Sequence, residues 1–301
     1  MSAEVRALIS DASQRLAQAG VPSPQVDAEL LLAHVAGVTR PQLGLLDGLA
    51  PAQCDTFDRL VARRCTREPL QHLTGEAYFR HLTLQVGPGV FIPRPETETL
   101  VQLALDELAS RQTPTERRLI VIDLCTGSGA IPLAIATECA GVEAIGMELS
   151  DDAYGWAQRN VAAHGAALEA AGSRVHLKCA DARRAADLLP GYLDSVDVLT
   201  CNPPYIPDAA IPRDPEVRDH DPAMALYGGT DGLEVVRDVV GQAARLLRVG
   251  GLLLIEHGDQ QGDVSGAQGV PLVIAEHADF TSVTDHRDLA GRPRVTSARR
   301  R

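Results

Sequence analysis

Apolar residues near the start of the chain (Val5, Leu8, Ile9, Ala12, Leu16 and Ala19) recur at three- and four-residue steps, the spacing of one helix face. Gly20 ends the pattern. Ser23 and Pro24 then supply a cap and a first-turn proline for a second helix, with Val26, Leu30, Ala33 and Val35 on one side. A third helix starts at Pro51, presents Phe57, Leu60 and Val61, and stops before Pro69. Residues 1–73 therefore read as a small helical domain.

From Glu76 the period changes to two. Leu82, Leu84 and Val86 alternate with Thr83 and Gln85 after a turn at Arg80-His81, which predicts a hairpin. Gly87-Pro88-Gly89 closes it and Pro93 and Pro95 stiffen the next segment, so residues 74–95 are expected to form a β-hairpin linker. Beyond it, strand patterns at 119–124, 142–147, 175–179, 196–201 and 252–255 alternate with helical patterns near 97–110, 130–138, 151–164 and 231–248. Such alternation predicts an α/β domain over 96–301, a parallel sheet with helices on both faces. Two further runs, 280–286 and 294–298, have only a short connection between them and suit an antiparallel pair at the end of the sheet.

Composition adjusts this picture in a few places. With four Phe, five Tyr and one Trp in 301 residues, the core has to be aliphatic. A net charge of -12 argues against duplex-DNA binding, whose affinity rests largely on Lys and Arg neutralising phosphates. The six cysteines show no C-x-x-C pair and no metal-like spacing with histidines, so no metal site is expected and reduced thiols are. No apolar run approaches the roughly 18 residues of a membrane span, and residues 1–20 lack a signal-peptide core. A cytoplasmic protein is the simplest expectation, and we take it as a monomer.

In an open parallel sheet, ligands bind outside the carboxyl ends of the strands, and the candidate chemistry lies there. After the first strand comes Asp123-Leu124-Cys125-Thr126-Gly127-Ser128-Gly129, a turn whose glycines let a ligand approach the backbone and whose following helix offers free N–H groups. Glu148, at the end of the second strand, is placed to accept hydrogen bonds from ribose hydroxyls; a helix-capping acid is the plain alternative. Together they indicate a nucleoside ligand without separating a nicotinamide cofactor from S-adenosylmethionine. Asp181, after the third strand, is a candidate contact for an adenine amino group, or a turn residue. The sharpest signal is Asn202-Pro203-Pro204-Tyr205 after the fourth strand. Two prolines cannot extend a central strand and carry no N–H, which leaves carbonyls and the Asn202 amide to grip a planar amino or amide nitrogen beside the Tyr205 ring.

This combination resembles the class I S-adenosylmethionine-dependent methyltransferases that act on planar nitrogens. The whole chain resembles, more narrowly, the protein-(glutamine-N5) methyltransferases of peptide chain release factors. The likeness runs through Pro69-Leu70-Gln71-His72-Leu73-Thr74-Gly75, Phe91-Ile92-Pro93-Arg94-Pro95-Glu96-Thr97-Glu98 and Asn202-Pro203-Pro204-Tyr205-Ile206-Pro207. It continues in Ala225-Leu226-Tyr227-Gly228-Gly229 with Asp231-Gly232-Leu233, Glu256-His257-Gly258 with Gln260-Gln261, and Asp288-Leu289-Ala290-Gly291-Arg292. The resemblance implies a Rossmann-like seven-stranded class I methyltransferase domain preceded by the helical domain and hairpin linker. It implies that Cys125, Thr126, Gly127, Ser128, Gly129 and Glu148 hold S-adenosyl-L-methionine, that Asp181 and Ala182 lie against its adenine, and that Asn202 touches both cofactor and substrate. Pro203, Pro204 and Tyr205 would complete the pocket for the target glutamine, with Asn202, Pro203 and Tyr205 carrying catalysis. Cys125 stands where the family usually has glycine, and Glu148 where aspartate is frequent.

The implied partner is a peptide chain release factor, docked by residues 1–73. Rival readings are methylation of a ribosomal-protein glutamine, a DNA adenine-N6 methyltransferase sharing the Asn-Pro-Pro-Tyr pocket, and a non-catalytic translation-factor-binding module. The Arg94–Glu98 segment favours the release-factor branch, and the acidic balance disfavours DNA. Two remaining features receive plain expectations. The segment Pro207–Pro222 is expected to be a loop over the active site. Arg292, Arg294 and Arg299-Arg300-Arg301 are expected to form a solvated edge strand and tail.

Overall fold

Alternating β-branched runs and amphipathic helices place the sheet where the sequence pattern puts it. The computed structural model describes residues 1–111, 117–262 and 269–301. A short hairpin, β1 (Glu76–Phe79) and β2 (Leu82–Gln85), precedes seven strands. These are β3 (Leu119–Leu124), β4 (Val142–Glu148), β5 (Arg174–Cys179), β6 (Val196–Cys201), β7 (Leu247–Glu256), β8 (Phe280–Arg287) and β9 (Pro293–Arg300). They form one sheet in the order β5-β4-β3-β6-β7-β9-β8. The first five are parallel and the last two join antiparallel.

The order reverses between β3 and β6: the chain builds outward through β4 and β5, then returns to the other side of β3. Leu124 is level with both Met147 and Cys201, so the carboxyl ends of β3, β4 and β6 finish together and open a crevice at that switch point. Both faces of the sheet are covered. Ile122, Leu124, Ile145, Leu199, Leu253 and Ile255 pack on one face with the helix Glu234–Leu246. Val121, Ala144, Val198, Leu252 and Leu254 pack on the other with helices Glu98–Arg111 and Ala130–Glu138. Burial on both sides is why these strands read as apolar runs instead of alternating ones.

The chain divides into two compact units. One holds Met1–Glu76, Val86–Pro88 and Ile211–Asp221; the other holds Ala77–Gln85, Gly89–Ala210 and Pro222–Arg301. In the first, helices Ala3–Gln18, Pro24–Ala36 and Pro51–Cys65 enclose Val5, Leu16, Leu31, Leu32, Phe57 and Val61. The second helix buries a face turned somewhat from the expected stripe: Asp27, Ala28, Leu31, Leu32 and Ala33 are inside and Val35 packs against them, while Val26 is exposed. The buried face also carries an ion pair that periodicity does not register. Arg64 is buried, its Nε donating to Asp27 at 2.8 Å and its Nη2 to Glu216 at 2.8 Å, while Arg67 Nε donates to the same Glu216 at 2.8 Å. Ser23 stands at the cap position but makes no side-chain capping bond.

Glu216 also corrects the expectation for Pro207–Pro222. Part of that segment is a helix, Pro215–His220, which belongs to the same compact unit as the amino-terminal helices and is ion-paired to them through Glu216. The basic carboxyl end differs from its expectation too. β9 is an interior strand between β7 and β8, and Arg294 is buried. Arg299 pairs with Glu107 at 2.7 Å, Arg300 with Asp279 at 2.7 Å, and Arg301 Nε donates to the Phe280 carbonyl at 2.9 Å. The arginines serve the structure because each meets a carboxylate or carbonyl of its own unit.

Burial by itself would raise the Glu216 carboxyl, but hydrogen bonds from Arg67 and Arg64 outweigh it and hold the group at about 2, against an ordinary 4.5. A carboxylate with a lower pKa folded than unfolded adds stability that is complete above the unfolded value and is lost as the pH falls through the folded one. Thermal unfolding of the wild type should therefore weaken between about pH 4.5 and 2 more steeply than that of Glu216→Gln, which starts less stable at neutral pH; parallel profiles would refute the assignment.

Candidate active site

The turn after β3 is shaped by polar groups that face inward. Asp123 is fully buried; Thr126 Oγ1 donates to its Oδ2 at 2.5 Å and Thr200 Oγ1 to its Oδ1 at 2.7 Å. Burial pushes this carboxyl up to about 7, partly offset by the two hydroxyls. The Thr126 N–H reaches across to the Met147 carbonyl at 2.9 Å, in the space left by Gly146, where a Cβ would lie 2.9 Å from Thr126 Oγ1. The backbone then runs through left-handed conformations at Cys125, Gly127 and Gly129, with φ of 61°, 56° and 81°. Cys125 thus occupies a position that costs an L-residue about 1–2 kcal/mol, the physical reason that glycine suits it. Its sulfur neighbours that of the buried Cys201, whose thiol is raised by burial and by this contact.

Glu148 closes the turn from β4. Its Oε2 accepts from the Gly127 N–H and its Oε1 from the Ser150 N–H, both at 2.8 Å. Ser128 is buried, and its carbonyl is held by Asn160 Nδ2 at 2.9 Å. Asn160, from helix Asp151–Ala163, also accepts from the Gln85 N–H at 2.7 Å and donates to the Gln85 carbonyl at 3.0 Å, tying the glycine turn to the hairpin. Its place inside an ordinary amphipathic helix gives no sequence signal of this. After β5, Asp181 caps the 3-10 turn Ala182–Arg184 by accepting from the Arg183 N–H at 2.9 Å, and pairs with the Arg183 guanidinium at 2.7 Å. Ala182 is buried in the core beside it.

The segment after β6 is gripped from outside. Asn202 and Tyr205 are half-buried and Pro203 is buried. The Ile206 N–H donates to the Leu226 carbonyl at 2.8 Å, the Gly228 N–H returns to the Ile206 carbonyl at 2.9 Å, and Gln261 Nε2 donates to the Tyr205 carbonyl at 2.9 Å. Gly228 touches the proline turn so closely that a Cβ there would lie 2.3 Å from the Pro204 carbonyl oxygen; one at Gly232 would lie 2.3 Å from that of Tyr205. The motifs 225–233 and 256–261, which carry no evident chemistry as sequence, are the braces of Asn202-Pro203-Pro204-Tyr205. Burial and the charge of Glu256 push the Tyr205 phenol up to about 12, so it stays protonated.

The crevice fits a nucleoside cofactor. A Cβ on Gly127 would project into open space, with no protein atom within 4 Å, so the turn leaves room for a ligand against its backbone. The Glu148 carboxylate spends two of its roughly four lone-pair sites on backbone N–H groups, which leaves two able to accept from a ligand's hydroxyls. Its switch-point crevice, glycine turn, acid after β4 and proline turn after β6 define a class I S-adenosylmethionine-dependent methyltransferase. Residues 7–75 match the PrmC N-terminal domain. Over 97% of its length the chain is 46% identical to the release factor glutamine methyltransferase of Streptomyces coelicolor, covering 96% of that protein. It is 46% identical to that of Mycolicibacterium smegmatis over 98% of both chains, and 42% identical to that of Bifidobacterium longum over 97% of this chain and 98% of the other. The chain belongs to the release factor glutamine methyltransferase family. A distant likeness among solved structures is the N-terminal domain of human METTL16 in complex with SAH, at 17% identity, a TM-score of 0.49, and coverage of 72% of this chain and 75% of that one. Among the described residues, no helix is long and apolar enough to cross a membrane.

Two glycine variants separate bracing from binding. Gly228→Ala should lower stability by about 1–3 kcal/mol in urea unfolding, because backbone has to move. Gly127→Ala meets no neighbour but puts a Cβ on left-handed backbone, so it should cost about 1–2 kcal/mol of stability and, in the folded protein, weaken S-adenosylmethionine binding at least about tenfold in calorimetry, since its methyl enters the ligand's space. Undiminished affinity in the second variant would rule out the glycine turn as the cofactor cradle.

Proposed function

We propose that this protein transfers a methyl group from S-adenosyl-L-methionine to the side-chain N5 of a glutamine in peptide chain release factors, the glutamine of their Gly-Gly-Gln motif. The observation that carries the reading is the braced Asn202-Pro203-Pro204-Tyr205 turn at the mouth of the switch-point crevice. Family membership supports the choice of substrate.

Amide chemistry dictates what the turn has to do. The lone pair of a glutamine nitrogen is delocalised into its carbonyl, and its N–H is far too weak an acid for a side-chain base. When bound, the cofactor supplies a methyl group on a cationic sulfonium. In our reading Cys125, Thr126, Gly127, Ser128, Gly129 and Glu148 hold it, with Asp181 and Ala182 at the adenine end. The Asn202 side-chain oxygen and the Pro203 carbonyl accept the two N–H bonds of the target amide and fix one face of it toward the methyl group. Positioning of this kind is worth up to about 7–11 kcal/mol in model systems. Pro204 and Tyr205 wall the pocket, and the protonated Tyr205 ring excludes water from the amide plane. Once the nitrogen carries the new methyl group its proton is acidic and leaves without a dedicated base. The helical unit provides surface for docking a protein substrate, which one glutamine cannot.

Incubation with isotope-labelled S-adenosylmethionine and purified release factor, followed by peptide mass spectrometry, should place one methyl group on that glutamine. Asn202→Ala should lower kcat by at least about 100-fold with the fold and cofactor affinity retained, in line with loss of one aimed hydrogen-bonding group. Methylation at the wild-type rate would sink the role given to Asn202.

A further inference from the structure

Glu256 is the last residue of β7, a strand otherwise lined at this end by Leu252, Leu253, Leu254 and Ile255. Ile255 is level with Cys201 on the neighbouring strand, which sets Glu256 beside Asn202. The side chain is 1% exposed, and its Oε2 makes no hydrogen bond of ordinary geometry. Facing it is a second buried group in the same condition, the hydroxyl of Thr97, which is 4% exposed. An unpaired buried polar atom is costly, so a carboxylate oxygen and a hydroxyl in that state beside the proline turn call for an explanation. The surrounding charges are Arg294 on β9, which is itself buried, Glu96 next to Thr97, and the Tyr205 phenol. Arg294 is held at 3.5 Å from Asp288, whose other oxygen accepts the Ala290 and Arg292 N–H groups at 2.9 and 3.0 Å. The Asp288–Arg292 motif thereby delivers a cation toward Glu256.

Resting on the proposed glutamine-methylating reading, we infer that Glu256 is a positioning residue that accepts a hydrogen bond from the Asn202 side-chain NH2 and so turns the Asn202 oxygen toward the target nitrogen. An asparagine amide has two nearly isosteric orientations, and the wrong one would present a donor to a substrate that is itself a donor. A carboxylate accepts only and permits a single orientation; a protonated carboxyl could donate to the Asn202 oxygen and permit the other. Burial raises the Glu256 carboxyl to about 7, with Thr97, Arg294 and Asn202 pulling it down and Glu96 up, so the two states exchange near neutral pH.

The test combines kinetics with a substrate-free readout. In the wild type, kcat for release-factor methylation should rise with pH through about 7 as Glu256 ionises. Glu256→Gln, which cannot ionise and can donate to the Asn202 oxygen as well as accept from its NH2, should lose this acid limb and run below the wild-type alkaline rate. Glu256→Ala should drop kcat at least about 30-fold with little change in S-adenosylmethionine affinity. A surviving acid limb in Glu256→Gln would belong to Asp123, the other carboxyl near 7, and would overturn the inference, as would an alanine variant with kcat within twofold of wild type. Independently, the side-chain NH2 resonance of Asn202 in the free protein, identified by its loss in Asn202→Asp, should titrate with the same midpoint and stop doing so in Glu256→Gln. A resonance indifferent to pH refutes the contact whether or not the enzyme methylates. A titrating resonance in a protein that transfers no methyl group to release factor would refute the functional reading while leaving the contact standing.

Discussion

Pro203 and Pro204 have no N–H groups, so the turn after β6 cannot be held by backbone donors of its own. Its carbonyls have to be gripped by neighbours, and much of the surrounding architecture answers to that need. Gln261 binds the Tyr205 carbonyl, and the strand-like exchange between Ile206 and the Leu226–Gly228 backbone fixes the downstream end. Two glycines lie so close to the turn that no side chain would fit. The stiffness of proline becomes useful only because these contacts orient it. An unbraced Pro-Pro segment would be rigid and misplaced.

A second constraint is electrostatic. Asp123 and Glu256 end adjacent parts of the crevice as buried carboxyls raised to about 7, and Glu148 shares its oxygens with backbone N–H groups. Removing such groups from water costs several kcal/mol each unless partners compensate, so their retention points to a role beyond stability. Asp123 offsets part of this by gathering Thr126 and Thr200 and thereby shaping the glycine turn. In the scaffold, Asp27, Arg64 and Glu216 are matched to one another, as is Glu107 to Arg299. The contrast between matched pairs in the scaffold and under-matched carboxyls at the strand ends separates structural from chemical use of the same residue types.

Local pattern carried much of the architecture. The hydrophobic runs of β3 and β6, the hairpin turn at Arg80-His81 and the helix Asp151–Ala163 lie where periodicity and turn chemistry place them. Glycines and prolines after strands mark Gly127 and Asn202-Pro203-Pro204-Tyr205, because special backbone geometry has to be written in residue type. Other placements depart from local pattern. Val26 belongs to the apolar stripe of its helix and yet lies outside, where Ala28, Leu31 and Leu32 are buried with Asp27; Pro215–His220 is a helix whose Glu216 meets two arginines far away in sequence. The terminal arginines look solvated in sequence because their carboxylate and carbonyl partners lie on other elements.

The sequence by itself determined the order of strands and helices along the chain, the position of the crevice at the strand ends and the residue types that line it. These stem from local preferences: side-chain period, proline's missing donor and glycine's tolerance of left-handed backbone. Only the tertiary structure decided which groups brace them. That Asn160 ties the glycine turn to the hairpin, that Gly228 abuts the Pro204 carbonyl and that Glu256 lies beside Asn202 depend on contacts between residues 24 to 75 positions apart. Strand register and close packing create such pairings, and no window of sequence contains them.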